Sequence, residues 1–164
     1  MPEFSQFSAA IDLTAGFGVA GHSMGGQASL FSASYANASD HGIKASVMMH
    51  PYSHEIPSTD IPTLTFTGTH DATAHAAWAM EMFEAGDPSV TNGFANLKGE
   101  AHSGCLETSS RISLYTAAWM KLFVTGVKEE GGVNFEDLIF ANNTRSLCGG
   151  GYGKMEACEL NDRR

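Results

Sequence analysis

The chain has 164 residues, 43% of them hydrophobic and 16% charged, with a formal net charge of −9. That is length enough for one domain with a real core, and the composition is that of a globular chain, not a disordered one. The acidic balance excludes nucleic acid and anionic membrane surfaces as partners, since both require a basic patch, and no apolar run approaches the ~20 residues of a spanning helix.

The opening residues, MPEFSQFSAAIDLTAG, lack a basic start and an apolar centre, so the signal-peptide pattern is missing. Residues 17 to 21 read as a short buried strand ending in glycine, and residues 24 to 36, small and apolar without proline, read as a helix. Ile43 to Tyr52 gives a second strand stopped by Pro51, and Ile61 to Asp71 a third with Pro62 near its start. Residues 74 to 85 place Ala74, Trp78 and Met82 at helical spacing. Thr91 to Gly99 is a weaker fourth strand. The clearest helix is 107 to 125, where Ile112, Tyr115, Trp119 and Leu122 share a face and Gly126 ends it. Beyond it, DLIFAN (137–142) reads as one more strand in a glycine- and asparagine-rich tail. Alternating strands and helices make the class α/β with a mostly parallel sheet. There is no internal repeat and no linker, so residues 1–164 form a single domain.

Chemistry concentrates at FGVAGHSMGG. Ser23 lies between Gly21 and Gly25, directly after a strand and directly before a helix. A nucleophilic serine needs that setting: a sharp strand-to-helix turn lifts its Oγ above the sheet, and side chains at the flanking glycines are expected to collide with neighbouring elements. The helix N-terminus aims its positive end at the site, and the N–H of Met24 becomes an oxyanion donor. The turn also predicts its partners in chain order, an acid and then a histidine. Asp71 ends the third strand and His102 follows the fourth, so Ser23, Asp71 and His102 each lie beyond a strand end, where open α/β sheets place working residues.

Seven histidines invite a metal reading, through His50 with His54 or through His70, Asp71 and His75. Pro51 interrupts the first pair, no HExxH is present and no cysteine cluster adds ligands, so neither a metal nor another cofactor is expected. Gly149 to Gly153 lack the strand–turn–helix setting of a phosphate loop. The three cysteines leave two readings open. All are free thiols in a cytosolic protein, or Cys148 pairs with Cys158 around GGGYGKMEA and Cys105 is left over. The pair is preferred, and with it a secreted setting. Asn37-Ala38-Ser39 and Asn142-Asn143-Thr144 fit the glycosylation pattern.

The strings GHSMGG, PTLTFTGTHD, GEAHSGC and AAWMKLFV resemble the α/β-hydrolase superfamily. More narrowly, they resemble the cutinase-like polyester hydrolases and the related dienelactone-hydrolase and chlorophyllase-like esterases, over roughly residues 17 to 160. The resemblance implies a serine ester hydrolase acting on carboxylic esters and polyesters. Ser23 attacks the carbonyl, His102 moves the proton and Asp71 orients the imidazole. Tyr52, after Pro51, matches an aromatic that lines the acyl site, where tryptophan is usual; the other reading is a surface aromatic covering the sheet end. His22 occupies a position commonly histidine in the superfamily, beside the substrate or packed under the turn. Cys148 and Cys158 resemble the terminal disulfide of those enzymes, whereas Cys105 lacks the partner expected near FTGTHD. The family carries further strands ahead of the nucleophile strand, one of whose loops gives the second oxyanion N–H. This chain therefore reads as the C-terminal half of such an enzyme, with FGVAG left as a bare sheet edge. Pairing of that edge, most simply as a homodimer, is expected. The competing function is a non-catalytic remnant that serves as an interaction module or needs a partner chain.

Overall fold

The computed structural model describes residues 14–36, 38–106, 111–149 and 155–163. The readings that rest on residues 1–13, on Asn37, on 107–110 and on 150–154 lie outside the described residues. The main sheet has five strands in the order β1-β2-β3-β4-β7. They are β1 (Phe17–His22), β2 (Ile43–Met49), β3 (Thr63–Gly68), β4 (Asn92–Leu97) and β7 (Met155–Asn161). The first four run parallel, and β7 runs antiparallel to β4. A two-stranded ribbon pairs β5 (Glu129–Glu130) with β6 (Val133–Asn134).

Helices cover both faces, as a parallel sheet requires. Helix α1 (Met24–Ala33) packs on β1 and β2, and α2 (Ala76–Glu84) on β3 and β4. Helix α3 (Arg111–Met120) packs against β2, β3 and α4 (Phe135–Phe140). Alternation along the strands sorts the side chains. Ala45, Val47, Leu64, Phe66, Ala95 and Leu97 point towards Tyr115 and Trp119 in the larger core, whereas Met48 meets Leu30 and Met82 in a smaller cluster. Trp119 and Tyr115 are buried with their polar tips satisfied. The indole N–H donates to the Pro62 carbonyl at 3.4 Å, and the phenol to the Arg145 carbonyl at 3.1 Å. Helix α3 continues as a π-helical turn, Lys121–Thr125, and stops at Gly126 in the left-handed conformation with φ 71°.

Two expectations in the tail are corrected. DLIFAN is not a strand: residues Phe135–Phe140 form α4. The Asn134 side chain caps it by accepting the Asp137 N–H at 2.9 Å, and Glu136 and Asp137 place negative charge in the first turn. Leu138 and Ile139 then bury against the larger core. The short β5 and β6 were not expected, nor was β7, whose register shifts so that Glu156 has no opposite residue on β4. That bulge puts Met155, Cys158 and Leu160 on the core side and breaks the period-two pattern.

Cys148 and Cys158 are joined in a disulfide, and Cys105 is free. The bond ties β7 to the three-residue turn at Leu147–Gly149. Closing so short a loop contributes about 2–3 kcal/mol on the chain-entropy account. Cys158→Ala is accordingly expected to lower the melting temperature by several degrees. A melt unchanged from that of the parent would remove the disulfide's stabilising role.

Candidate active site

The C-terminal ends of β1, β2, β3 and β4 place one histidine or carboxylate each around Ser23. Ser23 sits between β1 and α1 with φ 57° and ψ −120°, a conformation that costs about 1–3 kcal/mol in a non-glycine residue. The surroundings hold it there. Its N–H donates to the Met49 carbonyl at 3.0 Å, and its carbonyl accepts from Gln27 N at 3.1 Å and Tyr52 N at 3.1 Å. A β-carbon at Gly21 would collide with the Gly25 carbonyl. Gly25 itself faces open space, contrary to the collision expected there, and it is Gly26 that is close, where a β-carbon would lie 3.0 Å from Pro51 Cα.

The three residues read from chain order come together. Ser23 Oγ lies 2.9 Å from His102 Nε2, and His102 Nδ1 lies 2.9 Å from Asp71 Oδ2. Asp71 is buried, and its Oδ1 accepts from the backbone N–H groups of Thr73 at 2.9 Å and Ala74 at 2.8 Å. Burial pushes its carboxyl up, but the Ala74 N–H, His102, the Thr73 N–H and His50 outweigh this and hold it below the ordinary aspartate value. The aspartate therefore stays ionised, fixes the proton of His102 on Nδ1, and leaves Nε2 free to accept from the serine.

His102 stands on a braced loop. The Arg111 guanidinium donates to Glu100 at 2.9 Å, and Glu100 in turn accepts from His70 N at 2.9 Å through its carbonyl. His22 Nε2 donates to the His102 carbonyl at 2.6 Å, which makes His22 a prop of this loop as well as a neighbour of the turn. Met24 opens α1, so its N–H is one of the donors that a helix N-terminus leaves without an intrahelical partner. Tyr52 is half-buried, and its ring meets Trp78 at 5.3 Å and His54 at 5.3 Å between centroids. His75 also meets Trp78, at 5.4 Å. Trp78, read only as a helix-packing residue, thus joins Tyr52 in an aromatic wall beside the site. Burial pushes the Cys105 thiol up, so it stays a neutral thiol at neutral pH.

The histidine groupings considered for a metal do not form. His54, His70 and His75 are exposed, whereas His50 is fully buried and turns to Asp71. His50 Nδ1 lies 2.8 Å from Asp71 Oδ2, the oxygen that also faces His102. His50, Asp71 and His102 thereby bring three potential ligand atoms within 4.8 Å of one another. Both Nδ1 atoms are committed to the carboxylate, so a cation bound there would displace two hydrogen bonds. Burial pushes the His50 imidazole down, against the pull of Asp71, and keeps it neutral.

Both shifts make the folded chain hold fewer protons than the unfolded chain. Stability therefore rises with pH and is lost on acidification. The His50 share is lost as pH falls below its unfolded value of 6.5. The Asp71 share is present above 3.8 and is lost as pH falls through its lower folded value. The melting temperature is expected to drop between pH 7 and pH 5, with a slope of at most about 1.4 kcal/mol per pH unit for each proton. Melts at intervals across that range, on the parent and on His50→Asn, check this. A slope as steep in the variant would take His50 out of the account.

A family described as PET hydrolase-like matches residues 3–133. A bis(hydroxyethyl) terephthalate hydrolase of Streptomyces coelicolor is 30% identical over 110 residues, which are 65% of this chain and 34% of that protein. The chain thus spans about a third of the length of that relative. With the match extending over most of its residues, the chain belongs to the PET hydrolase-like family.

Proposed function

We propose that the chain acts as a serine carboxylic-ester hydrolase, in which Ser23 is acylated, His102 relays the proton and Asp71 orients and stabilises the imidazolium. The observation that carries this reading is the hydrogen-bonded series from Ser23 Oγ through His102 to Asp71, with both links at 2.9 Å, on a strained strand-to-helix turn. His102 takes the serine proton as Oγ attacks, then delivers it to the departing alkoxide, and water repeats the cycle on the acyl-enzyme. The Met24 N–H faces the oxyanion. The aromatic wall of Tyr52 and Trp78 suits an aromatic acyl group, and the relative's name, a terephthalate ester hydrolase, points to the same class. The disulfide supports a secreted setting.

The test is hydrolysis of p-nitrophenyl acetate, p-nitrophenyl butyrate and bis(hydroxyethyl) terephthalate, with and without a serine-directed organophosphonate. Turnover that stops when one phosphonate is bound per chain supports the reading. Turnover indifferent to the phosphonate, or none on any ester, overturns it.

A second reading, the interaction module, rests on one observation. Among the described residues β1 pairs with β2 alone, Phe17 on that strand is exposed, and so are Met24, Phe31 and Tyr35 on or just past α1, which packs on it. An apolar groove lined by Gly18, Ala20, Met120 and Val124 runs beside the same edge. A two-fold dimer would hide both edges at once. Light scattering coupled to size exclusion is expected to give twice the 17.4 kDa chain mass. A sharp monomer would sink the dimer.

A further inference from the structure

We propose that His50 is a positioning residue for the hydrolytic site, a second imidazole that holds the Asp71 carboxylate in place and shares its charge. This rests on the hydrolase reading above. His50 lies just past β2, nothing of it reaches solvent, and its φ is 47°. Among the described residues, Ser23 and His50 are the non-glycine residues with positive φ. Strain of that kind persists where surrounding structure enforces it, and it gathers at working sites. Here the His50 N–H donates to the Phe66 carbonyl at 2.8 Å, which pins the residue to β3, the strand that delivers Asp71.

Asp71 Oδ2 faces two imidazole nitrogens, His50 Nδ1 at 2.8 Å and His102 Nδ1 at 2.9 Å. An ionised carboxylate only accepts, so both histidines carry their proton on Nδ1. For His102 that leaves Nε2 to take the serine proton. For His50 it leaves Nε2 as a bare lone pair, and that atom is buried without a partner. An imidazole buried with one nitrogen unsatisfied is a poor packing choice unless the other nitrogen has a task. Its task is the carboxylate. With Thr73 N and Ala74 N on Oδ1, the two imidazoles complete four donors around Asp71, so the carboxylate cannot swing away when His102 becomes an imidazolium.

The charge state matters. The groups facing His50 are Asp71, His102 and His22, with ring centroids 5.9 Å to His102 and 6.1 Å to His22. Glu100 and Cys105 add to the surroundings of the same loop. A protonated His50 would oppose the developing charge on His102. Burial keeps it neutral, so it steadies the carboxylate without that penalty. Without its N–H, the full charge of Asp71 would fall on His102, favour the imidazolium, and move the acidic limb of the rate profile upward.

Two substitutions separate this role from packing, because both tolerate a left-handed backbone. His50→Asn keeps an N–H donor on the atom that replaces Nδ1. His50→Gly removes it. In the glycine variant kcat on p-nitrophenyl butyrate is expected to fall roughly tenfold or more, with KM changed by less than about threefold, since His50 touches no substrate. The acidic limb of kcat/KM moves up by about half to one pH unit. The asparagine variant regains most of kcat and the parent limb. A glycine variant with the parent's profile, or an asparagine variant as impaired as the glycine one, overturns the proposal. Should the glycine variant not fold, nitrogen-15 imidazole spectra of the parent decide. A neutral His50 protonated on Nδ1 at pH 8 is required, and the Nε2–H tautomer overturns the proposal. Ser23→Ala runs in the same assay. Activity surviving in it sinks the hydrolase reading, whereas an inactive Ser23→Ala beside an unchanged His50→Gly sinks only the role of His50.

Discussion

Ser23→Ala is expected to abolish ester hydrolysis, with kcat falling about 10⁴-fold or more and KM little changed. The change removes the attacking atom and one hydrogen bond, the 2.9 Å contact to His102 Nε2. It leaves the Met24 N–H, the aromatic wall and the backbone of the turn in place, because alanine keeps the β-carbon that the strained turn already accommodates. Without a nucleophile, water must attack directly, and oxyanion stabilisation and binding alone leave a small residual rate. Stability should not fall, since the turn is held by the Met49, Gln27 and Tyr52 backbone contacts, not by the hydroxyl. Initial rates on p-nitrophenyl butyrate, corrected for phosphonate-titratable sites in the parent, read the effect. A variant as fast as the parent would show that the hydrolysis occurs elsewhere.

How far the site can be read without coordinates depends on how local its constraints are. Ser23 is legible because a serine turn needs small neighbours within five residues, and the strand and helix that frame it are contiguous. Asp71 and His102 follow because parallel strands deliver their ends to one edge of the sheet, so a polar residue just past each strand converges on the same place. The same rule applied to β2 points to His50. In the sequence that histidine stands out instead beside His54 as a candidate metal pair, which Pro51 interrupts, and neither feature speaks of the strand end. Its partner lies 21 residues on, and its positive φ leaves no mark in composition. In the tail, DLIFAN was read by its apolar residues alone. The deciding signal was Asn134 three residues ahead of Asp137, a capping pattern that lies mostly upstream of the apolar stretch. β7 escaped because the bulge at Glu156 shifts the alternation by one, and no periodicity within the segment reveals a bulge imposed by pairing with β4.

Asp71→Asn is expected to lose both activity and stability, and for one reason. All four neighbours of the carboxylate are donors: Thr73 N and Ala74 N at 2.9 and 2.8 Å on Oδ1, and His50 and His102 at 2.8 and 2.9 Å on Oδ2. Asparagine offers one oxygen and one NH2 group, so whichever way it turns, two donors face a donor. If the NH2 faces the backbone, Thr73 and Ala74 lose the acceptor that closes their turn. If it faces the imidazoles, His102 must move its proton to Nε2 to accept on Nδ1, and it can then no longer take the serine proton. His50 has the easier escape, because its buried Nε2 has no partner and can carry the proton instead. The second orientation therefore spares the backbone at the expense of the base, and kcat should fall about 10⁴-fold. Stability should fall by about 1–3 kcal/mol for each donor left unpaired in a buried site. The loss of the carboxylate also removes the acid sensitivity that its low titration point imposes below pH 4. Urea melts at pH 7, and at intervals from pH 4 downward, beside initial rates test both halves. A variant with parental kcat would exclude Asp71 as the orienting acid, and one with parental stability would show that its four donors find other partners.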